Sequence, residues 1–307
     1  MKENKARRFR HEAVNHVYQR TRNHFNIFYD LSDYLVYFTV FCTCARKYDI
    51  DVYSLCLMID HIHCLVRASA KECLSNFISN VTSVFVKEYN HSIGRKGPLF
   101  EKRFGSAPKA DRKKLVSAII YLGNNPVEKR LCTRAEQYRW NFLAYMDSPA
   151  PFSEPLVKYK ASPALRNAMK EVDRCSGRGR HLNYSQLRRM MSPLSAIEKN
   201  QLTDHIITSY NIIDYDGLLQ YFESYQQLLI SVHSTTGTEY DIKETIDKSY
   251  DNVYREMIKI IREYTGPSVK EVILFDTDRK LEFAKLLRSR TKASIGQIAK
   301  FLHLHME

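Results

Sequence analysis

The sequence predicts an α+β fold, in which a ferredoxin-like antiparallel sheet with helices on one face is followed by a mainly α-helical C-terminal domain. Over residues 13–125, strand-like and helical patterns alternate in the order strand, helix, strands, helix, strand, helix. After residue 163 the pattern is mostly helical. This order fits helices packed on an antiparallel sheet more simply than a doubly wound parallel sheet.

Hydrophobic spacing defines the first elements. Residues 13–20 (AVNHVYQR) have the pattern of a short strand, and residues 31–46 have the length and spacing of a helix. Residues 52–67 (VYSLCLMIDHIHCLVR) are rich in strand-forming residues around a polar turn candidate at Asp60, which predicts two strands or one long bent strand. Residues 71–91 place apolar side chains three and four apart and predict a second helix.

The next two elements lie between residues 94 and 126. The segment GRKGPLFEKRFGS is a glycine-rich loop, within which LFEKRF (residues 99–104) predicts a short strand. Asp111 is a typical residue to open the following helix. That helix is expected to end at Asn125, because the residue before a proline is disfavoured in the helical conformation.

A proline-rich segment divides the chain. Four prolines between residues 147 and 163 predict a linker over 147–164, which joins an N-terminal domain (1–146) to a helical C-terminal domain (165–307). Near the end, RSRTKASIGQIAKFLHL has the pattern of a partial helix-turn-helix within residues 281–304. A plain helical packing unit is the alternative.

Positive charge is concentrated in the N-terminal half. The 307-residue chain carries a net charge of +13. Residues 1–150 contain 24 basic and 14 acidic residues, and the rest of the chain contains 23 basic and 20 acidic residues. A strongly basic N-terminal half predicts a polyanionic partner. Nucleic acid is favoured over a membrane, since no apolar stretch approaches the roughly 18 to 20 residues of a spanning helix. The basic start lacks the apolar core of a signal peptide, so a cytoplasmic location is expected. The seven cysteines are expected to be reduced packing residues.

His61 and His63 are the first candidates for chemistry. Residues two apart in a strand point to the same face, so the two imidazoles would stand side by side in the geometry of metal ligands. Their neighbours in the sequence are apolar, and polar groups among apolar ones need partners. A divalent metal would be one such partner. Two histidines at a sheet surface are the alternative.

Tyr121 and Asn125 form a second pair, four residues apart and hence on one face of the predicted helix. In the alternative interpretation Tyr121 packs in the core and Asn125 caps the helix. The segment from Arg95 to Lys114 is a third candidate, with eight basic residues against two acidic ones and with two phenylalanines. This composition suits a phosphate backbone and unstacked bases, although charge runs are also ordinary solvated surfaces.

Taken in order, these segments resemble the single-tyrosine HUH transposases of the insertion-sequence-200-like family, most closely the REP-associated tyrosine transposase branch. The resemblance covers residues 11–146. NHVYQRTRNHFNIFYD is similar to the family's first strand and turn, LCLMIDHIHCLV to its HUH strand and GPLFEKRF to its basic loop and strand. YLGNNPVEKRL followed by YRWNFLAY is similar to its tyrosine helix and tail. The implied fold is that of the HUH nucleases.

The resemblance also implies a reaction. His61, His63 and Asn125 would hold a divalent metal, Mg²⁺ or Mn²⁺, and Tyr121 would attack the scissile phosphate to form a 5′-phosphotyrosine with release of a 3′-OH. Because this is a transesterification, strand joining needs no ATP. The chain departs from the family pattern at Asp60, where asparagine is common, and this change adds negative charge without removing a ligand.

The leading hypothesis is therefore a metal-dependent endonuclease and strand transferase that acts on single-stranded DNA next to a hairpin. Its expected DNA-backbone contacts are His16, Arg20, Arg22, Arg95, Lys96, Lys102 and Arg103. Two rival hypotheses are a domesticated, non-catalytic protein that binds nucleic-acid hairpins and a metallohydrolase that uses water. The sequence leaves a homodimer open, together with the choice between a tyrosine acting in its own subunit or in the partner's.

Overall fold

The computed structural model describes residues 9–101, 103–157, 161–234, 250–266 and 268–305. Its N-terminal part contains a single four-stranded antiparallel sheet in the order β2-β3-β1-β4. The elements in chain order are β1 (Val14–Arg20), α1 (Leu31–Lys47), β2 (Asp51–Leu57), β3 (His61–Arg67), α2 (Lys71–Ile93), β4 (Gly105–Lys109) and α3 (Arg112–Glu128). This architecture confirms the predicted fold class.

The two faces of the sheet are covered by different helices. Val17 of β1 and Cys64 of β3 belong to the core that also contains the apolar residues of α1 and α2. Val14 of β1 and Leu65 of β3 point the other way and belong to a second core with the apolar residues of α3. Helices α1 and α2 thus share one face, and α3 covers the opposite face. The predicted placement of the helices on one face therefore holds for α1 and α2 but is wrong for α3.

The predicted strand at residues 99–104 is wrong, because β4 lies at Gly105–Lys109. Phe100 makes an isolated bridge to Thr21, and Phe104 is buried, so the apolar pattern of LFEKRF reflects core contacts of a loop. The true strand, GSAPK, contains residues that disfavour strands. It can accommodate Pro108 because β4 lies at the edge of the sheet.

The predicted end of α3 at Asn125 is also wrong. The helix continues through Pro126 to Glu128. Pro126 lacks the backbone N–H that would bond the Leu122 carbonyl, and the helix ends only two residues after it. The Pro126 carbonyl accepts a hydrogen bond from the backbone N–H of Leu131 at 2.9 Å.

The remainder of the described chain is helical. Its helices are α4 (Pro163–Gly177), α5 (Tyr184–Met191), α6 (Ala196–Tyr210), α7 (Tyr215–Leu219), α8 (Tyr225–Ser234), α9 (Asn252–Thr265), α10 (Thr277–Arg290) and α11 (Ile295–Leu302). Short 3-10 helices lie at Arg22–His24, Ala135–Gln137, Arg139–Asn141, Leu143–Met146 and Val269–Leu274. Across the described ranges, none of the helices is both long and apolar enough to cross a bilayer.

Most helices after residue 163 share one core with α1 and α2, whereas α7 and α8 pack in the α3 core through Leu218, Leu228 and Val232. Buried residues from Leu165 to Leu302 lie in the same apolar cluster as those of the two earlier helices. Asp33, at the start of α1, is fully buried and forms a 2.9 Å ion pair with the equally buried Lys270. All seven cysteines are free, and five of them are buried, as expected for packing residues.

Candidate active site

Strands β1 and β3 are neighbours and place three histidines on the sheet face that α3 covers. In their antiparallel register Arg20 pairs with His61, Tyr18 with His63 and His16 with Leu65. Because side chains alternate along a strand, His61 and His63 lie on the same face as Leu65, which packs in the α3 core. The ring centroids of the two histidines are 4.9 Å apart. The predicted side-by-side pair is therefore present.

His16 contacts His63 directly. Its Nε2 atom lies 2.9 Å from His63 Nδ1, within hydrogen-bond distance, and the His16 side chain is fully buried. The expectation that His16 contacts a DNA backbone does not match this position. Because the bond engages Nδ1 of His63, its Nε2 atom is the ring nitrogen left to act as a ligand.

Asp60 holds the other histidine. Its Oδ1 atom lies 2.6 Å from His61 Nδ1. Burial alone would raise the pKa of Asp60, but His61, Lys300 and His24 outweigh burial and hold this pKa below its usual value. An ionised Asp60 favours a proton on Nδ1 of His61, which leaves Nε2 as the acceptor. The carboxylate found where the family commonly has asparagine thus orients a site histidine.

Helix α3 brings Tyr121 to the histidines. The tyrosine ring centroid lies 5.7 Å from that of His63 and 6.1 Å from that of His16. Asn125, one turn later, is 4% exposed. Its Nδ2 atom is buried with no hydrogen-bond partner among the described residues. The helix is anchored by Leu115, Ile119 and Leu122, which pack on the sheet, and this packing fixes the height of Tyr121 over the strands.

The donor set at this site fits a divalent cation. Within the ranges that the structure describes, no group of three His, Cys, Asp or Glu side chains has metal-binding geometry. The side chains that could act as ligands beside Tyr121 are the imidazoles of His61 and His63 and the amide of Asn125. Both Nδ1 atoms face a hydrogen-bonding neighbour, and both Nε2 atoms are buried. Histidines held in this way by a second residue are typical of metal ligands. Substrate phosphate and water would have to complete the shell.

Asp251 was not foreseen from the sequence. It is 6% exposed, and its backbone N–H donates to the carbonyl of Lys129, directly after α3, at 2.8 Å. Burial and the nearby Asp60 carboxylate raise the pKa of Asp251 to about 7, although Lys129 and His61 lower it. The C-terminal helices therefore bring a carboxyl group beside the Asp60–His61 pair. An electrostatic interaction between Asp251 and His61, which are 190 residues apart in the sequence, leaves no signal in a local sequence pattern.

Apart from His16, the predicted DNA-contact residues lie in or next to residues 95–103, here named the basic loop. The loop is attached to the end of β1, because Glu101 N–H donates to the Arg20 carbonyl at 3.0 Å and Arg22 N–H donates to the Leu99 carbonyl at 2.8 Å. Since Arg20 pairs with His61, the loop lies at the same end of the sheet as that histidine.

The side chains of the basic loop have different environments. Lys96 and Arg103 are exposed, as is Arg22 beside the loop. Arg95 is half-buried and donates to Asn90 Oδ1 and to the Gly97 and Pro98 carbonyls, so its guanidinium holds the loop in shape. Lys102 lies outside the described residues.

Residues 9–121 match the family model described as "Transposase IS200 like". A solved structure described as a REP-associated tyrosine transposase bound to a REP hairpin is similar to the chain, with 13% sequence identity and a TM-score of 0.41. That similarity covers 53% of this chain and 96% of the other. No curated protein matches the sequence. The family match confirms the resemblance drawn from the sequence at the level of the family.

Proposed function

We propose that this chain is a metal-dependent DNA endonuclease and strand transferase, because residues 9–121 match the family model described as "Transposase IS200 like". In this proposal it acts on single-stranded DNA next to hairpins, and Tyr121 is the nucleophile. The assignment to the REP-associated branch is part of the proposal.

One observation carries the proposal: the ring of Tyr121 lies against His63 and His16, and the ring centroid of His61 is 4.9 Å from that of His63. A metal-assisted nucleophilic attack requires a nucleophile close to the metal ligands. Here the phenol of Tyr121 lies next to His63, and Nδ1 of His63 and Nδ1 of His61 each face a hydrogen-bonding neighbour. A protein that only bound DNA would have no use for this arrangement on a buried sheet face.

The reaction follows from the groups at the site. Tyr121 Oη forms a bond to phosphorus, and the bond from phosphorus to the 3′ oxygen breaks, which leaves a 5′-phosphotyrosine and a free 3′-OH. The phenol loses a proton, and the 3′ oxygen gains one. When bound, a divalent cation held by His61, His63 and Asn125 would polarise the scissile phosphate and stabilise its developing charge. Attack by a 3′-OH on the phosphotyrosine rejoins strands without ATP.

The exposed cations Arg22, Lys96 and Arg103 are proposed to bind the DNA backbone beside the site. Such contacts make affinity depend on salt, because each neutralised phosphate releases counterions. Replacement of any one of them should weaken binding while the chemistry at Tyr121 continues.

The purified protein, incubated with Mn²⁺ and a pool of labelled single-stranded hairpin oligonucleotides, should give a covalent protein–DNA band on a denaturing gel. Protease should remove the shift, and EDTA added beforehand should prevent the band, since the cation is required for the attack. Binding without any cleavage would favour the non-catalytic binder instead. Cleavage without a covalent band would favour the water-using hydrolase.

His16→Phe should make adduct formation need about 10 to 100 times more Mn²⁺, because loss of a residue that orients a metal ligand costs about that factor in affinity. Phenylalanine keeps a ring in the buried space but cannot bond Nδ1 of His63. The measurement is the adduct rate as a function of Mn²⁺ concentration, with the melting temperature as a check on folding.

The matched control is Tyr18→Phe, since Tyr18 lies on the same face of β1 with its ring centroid 6.4 Å from that of His16. This control should keep the wild-type Mn²⁺ dependence. An unchanged Mn²⁺ dependence in a folded His16→Phe protein would rule out the positioning role of His16.

A further inference from the structure

A cleft of about 610 Å³ lies where α4 ends and α5 begins, against α2. Three arginines line it, Arg174, Arg178 and Arg180, together with His181 and, from α2, Glu88. We name it the α4–α5 cleft. It lies outside residues 9–121 except for Glu88, and the mechanism above does not use it.

The cleft has an excess of positive charge. All three arginines are exposed, and within the described part of the chain none of them forms an ion pair. The acidic residue in the lining, Glu88, is bound by His181, with Nε2 and Oε1 3.2 Å apart. Three guanidinium groups therefore face one cleft with their fork-shaped donors available to phosphate oxygens.

The backbone fixes the position of two of these arginines. At the end of α4, Arg180 N–H donates to the Cys175 carbonyl and Gly179 N–H donates to the Ser176 carbonyl, both at 2.9 Å. This pair of bonds is a Schellman motif, with Gly179 in the left-handed conformation at φ 62°. The Tyr210 hydroxyl also donates to the Arg180 carbonyl. Arg178 and Arg180 are thus carried by a fixed turn, which lowers the entropy lost when they bind a ligand.

The cleft lies near the basic loop. Glu88 precedes Arg95 by seven residues on α2 and its end, a distance of about 10 Å along a helix axis. In duplex DNA the phosphates of one strand are about 3.4 Å apart along the helix axis, and in an unstacked single strand they are further apart. A strand held at the basic loop therefore needs at most about three further phosphates to reach the cleft.

We propose that the α4–α5 cleft binds the phosphate backbone of a single-stranded segment that continues from the DNA held at the basic loop. This inference rests on the proposed function in one respect: the strand in the cleft is taken to belong to the DNA molecule that is bound at Tyr121. The cleft gives the C-terminal helices a role in holding substrate, and it makes affinity depend on the length of strand beside the hairpin.

The test compares two hairpins, one with a tail of a single nucleotide, too short to reach the cleft, and one with a tail of about 15, by fluorescence anisotropy over a range of salt concentrations. The cleft variant is Arg174→Gln/Arg178→Gln/Arg180→Gln. The control variant, Lys71→Gln/Lys259→Gln/Lys285→Gln, removes the same charge from exposed positions outside the cleft lining. Hairpins with the tail on either the 5′ or the 3′ side are used.

The cleft variant should lose about tenfold or more in affinity for one of the long-tailed hairpins, and its salt slope should fall by about 2, since each single-strand phosphate contact contributes about 0.7. For the short-tailed hairpin, the affinity and the rate of adduct formation should be the same in the cleft variant as in the wild type. Equal affinities of the cleft and control variants for every long-tailed hairpin would overturn the inference. A wild type that shows the length effect but no adduct would instead contradict the proposed function and leave the cleft supported.

Discussion

Tyr121→Phe should abolish the covalent protein–DNA band and lower strand cleavage by at least about 10³-fold, as removal of a catalytic nucleophile does in other enzymes. The change removes one oxygen atom from a half-buried side chain, so the packing of α3 on the sheet is retained. The ring would still lie near His63 and His16, whose centroids are 5.7 Å and 6.1 Å away. The loss would therefore report chemistry and not folding.

The measurement is the rate of adduct formation in Mn²⁺ with a labelled hairpin, alongside the affinity for the same hairpin. Tyr18→Phe is the matched control, because it removes the same atom from a neighbouring tyrosine on β1. Affinity should change little in either variant. Cleavage that survives in Tyr121→Phe would rule out the tyrosine mechanism and leave the hydrolase in which water attacks.

Lys270→Met should lower the free energy of unfolding by about 3 to 5 kcal/mol, because it leaves the buried carboxylate of Asp33 without its cation. Asp33 is 0% and Lys270 5% exposed at the side chain. The remaining partners of Asp33 are the backbone N–H groups of Tyr29 and Asp30 and the Tyr184 hydroxyl. These neutral donors cannot balance a full negative charge away from water.

Urea unfolding of Lys270→Met and of Arg262→Met gives the comparison. Arg262 also pairs with an aspartate of this region, Asp30, at 3.0 Å, but its side chain is 50% exposed. An exposed pair contributes about 1 kcal/mol or less, so the control should unfold close to the wild type. The double variant Asp33→Asn/Lys270→Met should regain part of the loss. A loss below 1 kcal/mol in Lys270→Met would show that the Asp33 carboxylate does not depend on Lys270.

Local patterns were enough to predict β1, α1, β2, β3 and α2, because each of these elements has an apolar face at its own period. The pattern failed at β4, where Phe100 and Phe104 are buried in a loop and the real strand consists of GSAPK. An edge strand needs few apolar side chains of its own. Its position is fixed by pairing with β1, which a local pattern does not contain.

The candidate site was predictable to the same extent. His61 and His63 are close in sequence, and Tyr121 and Asn125 are one turn apart on a helix, so spacing alone predicted that the members of each pair lie together. The role of His16 was missed, since its bond to His63 depends on strand register across 47 residues. Asp251 was missed because only tertiary packing brings it near His61.

The core shared by the two halves of the chain limits which sequence changes the protein can accept during evolution. The Tyr29 hydroxyl donates to the Phe301 carbonyl, and the backbone N–H of Asn26 donates to the Lys300 carbonyl. Recombination that exchanged the tail alone would leave these buried groups, and the charge of Asp33, without partners. Substitutions in the helical tail and in the N-terminal half are therefore expected to depend on one another, because each part satisfies buried groups of the other.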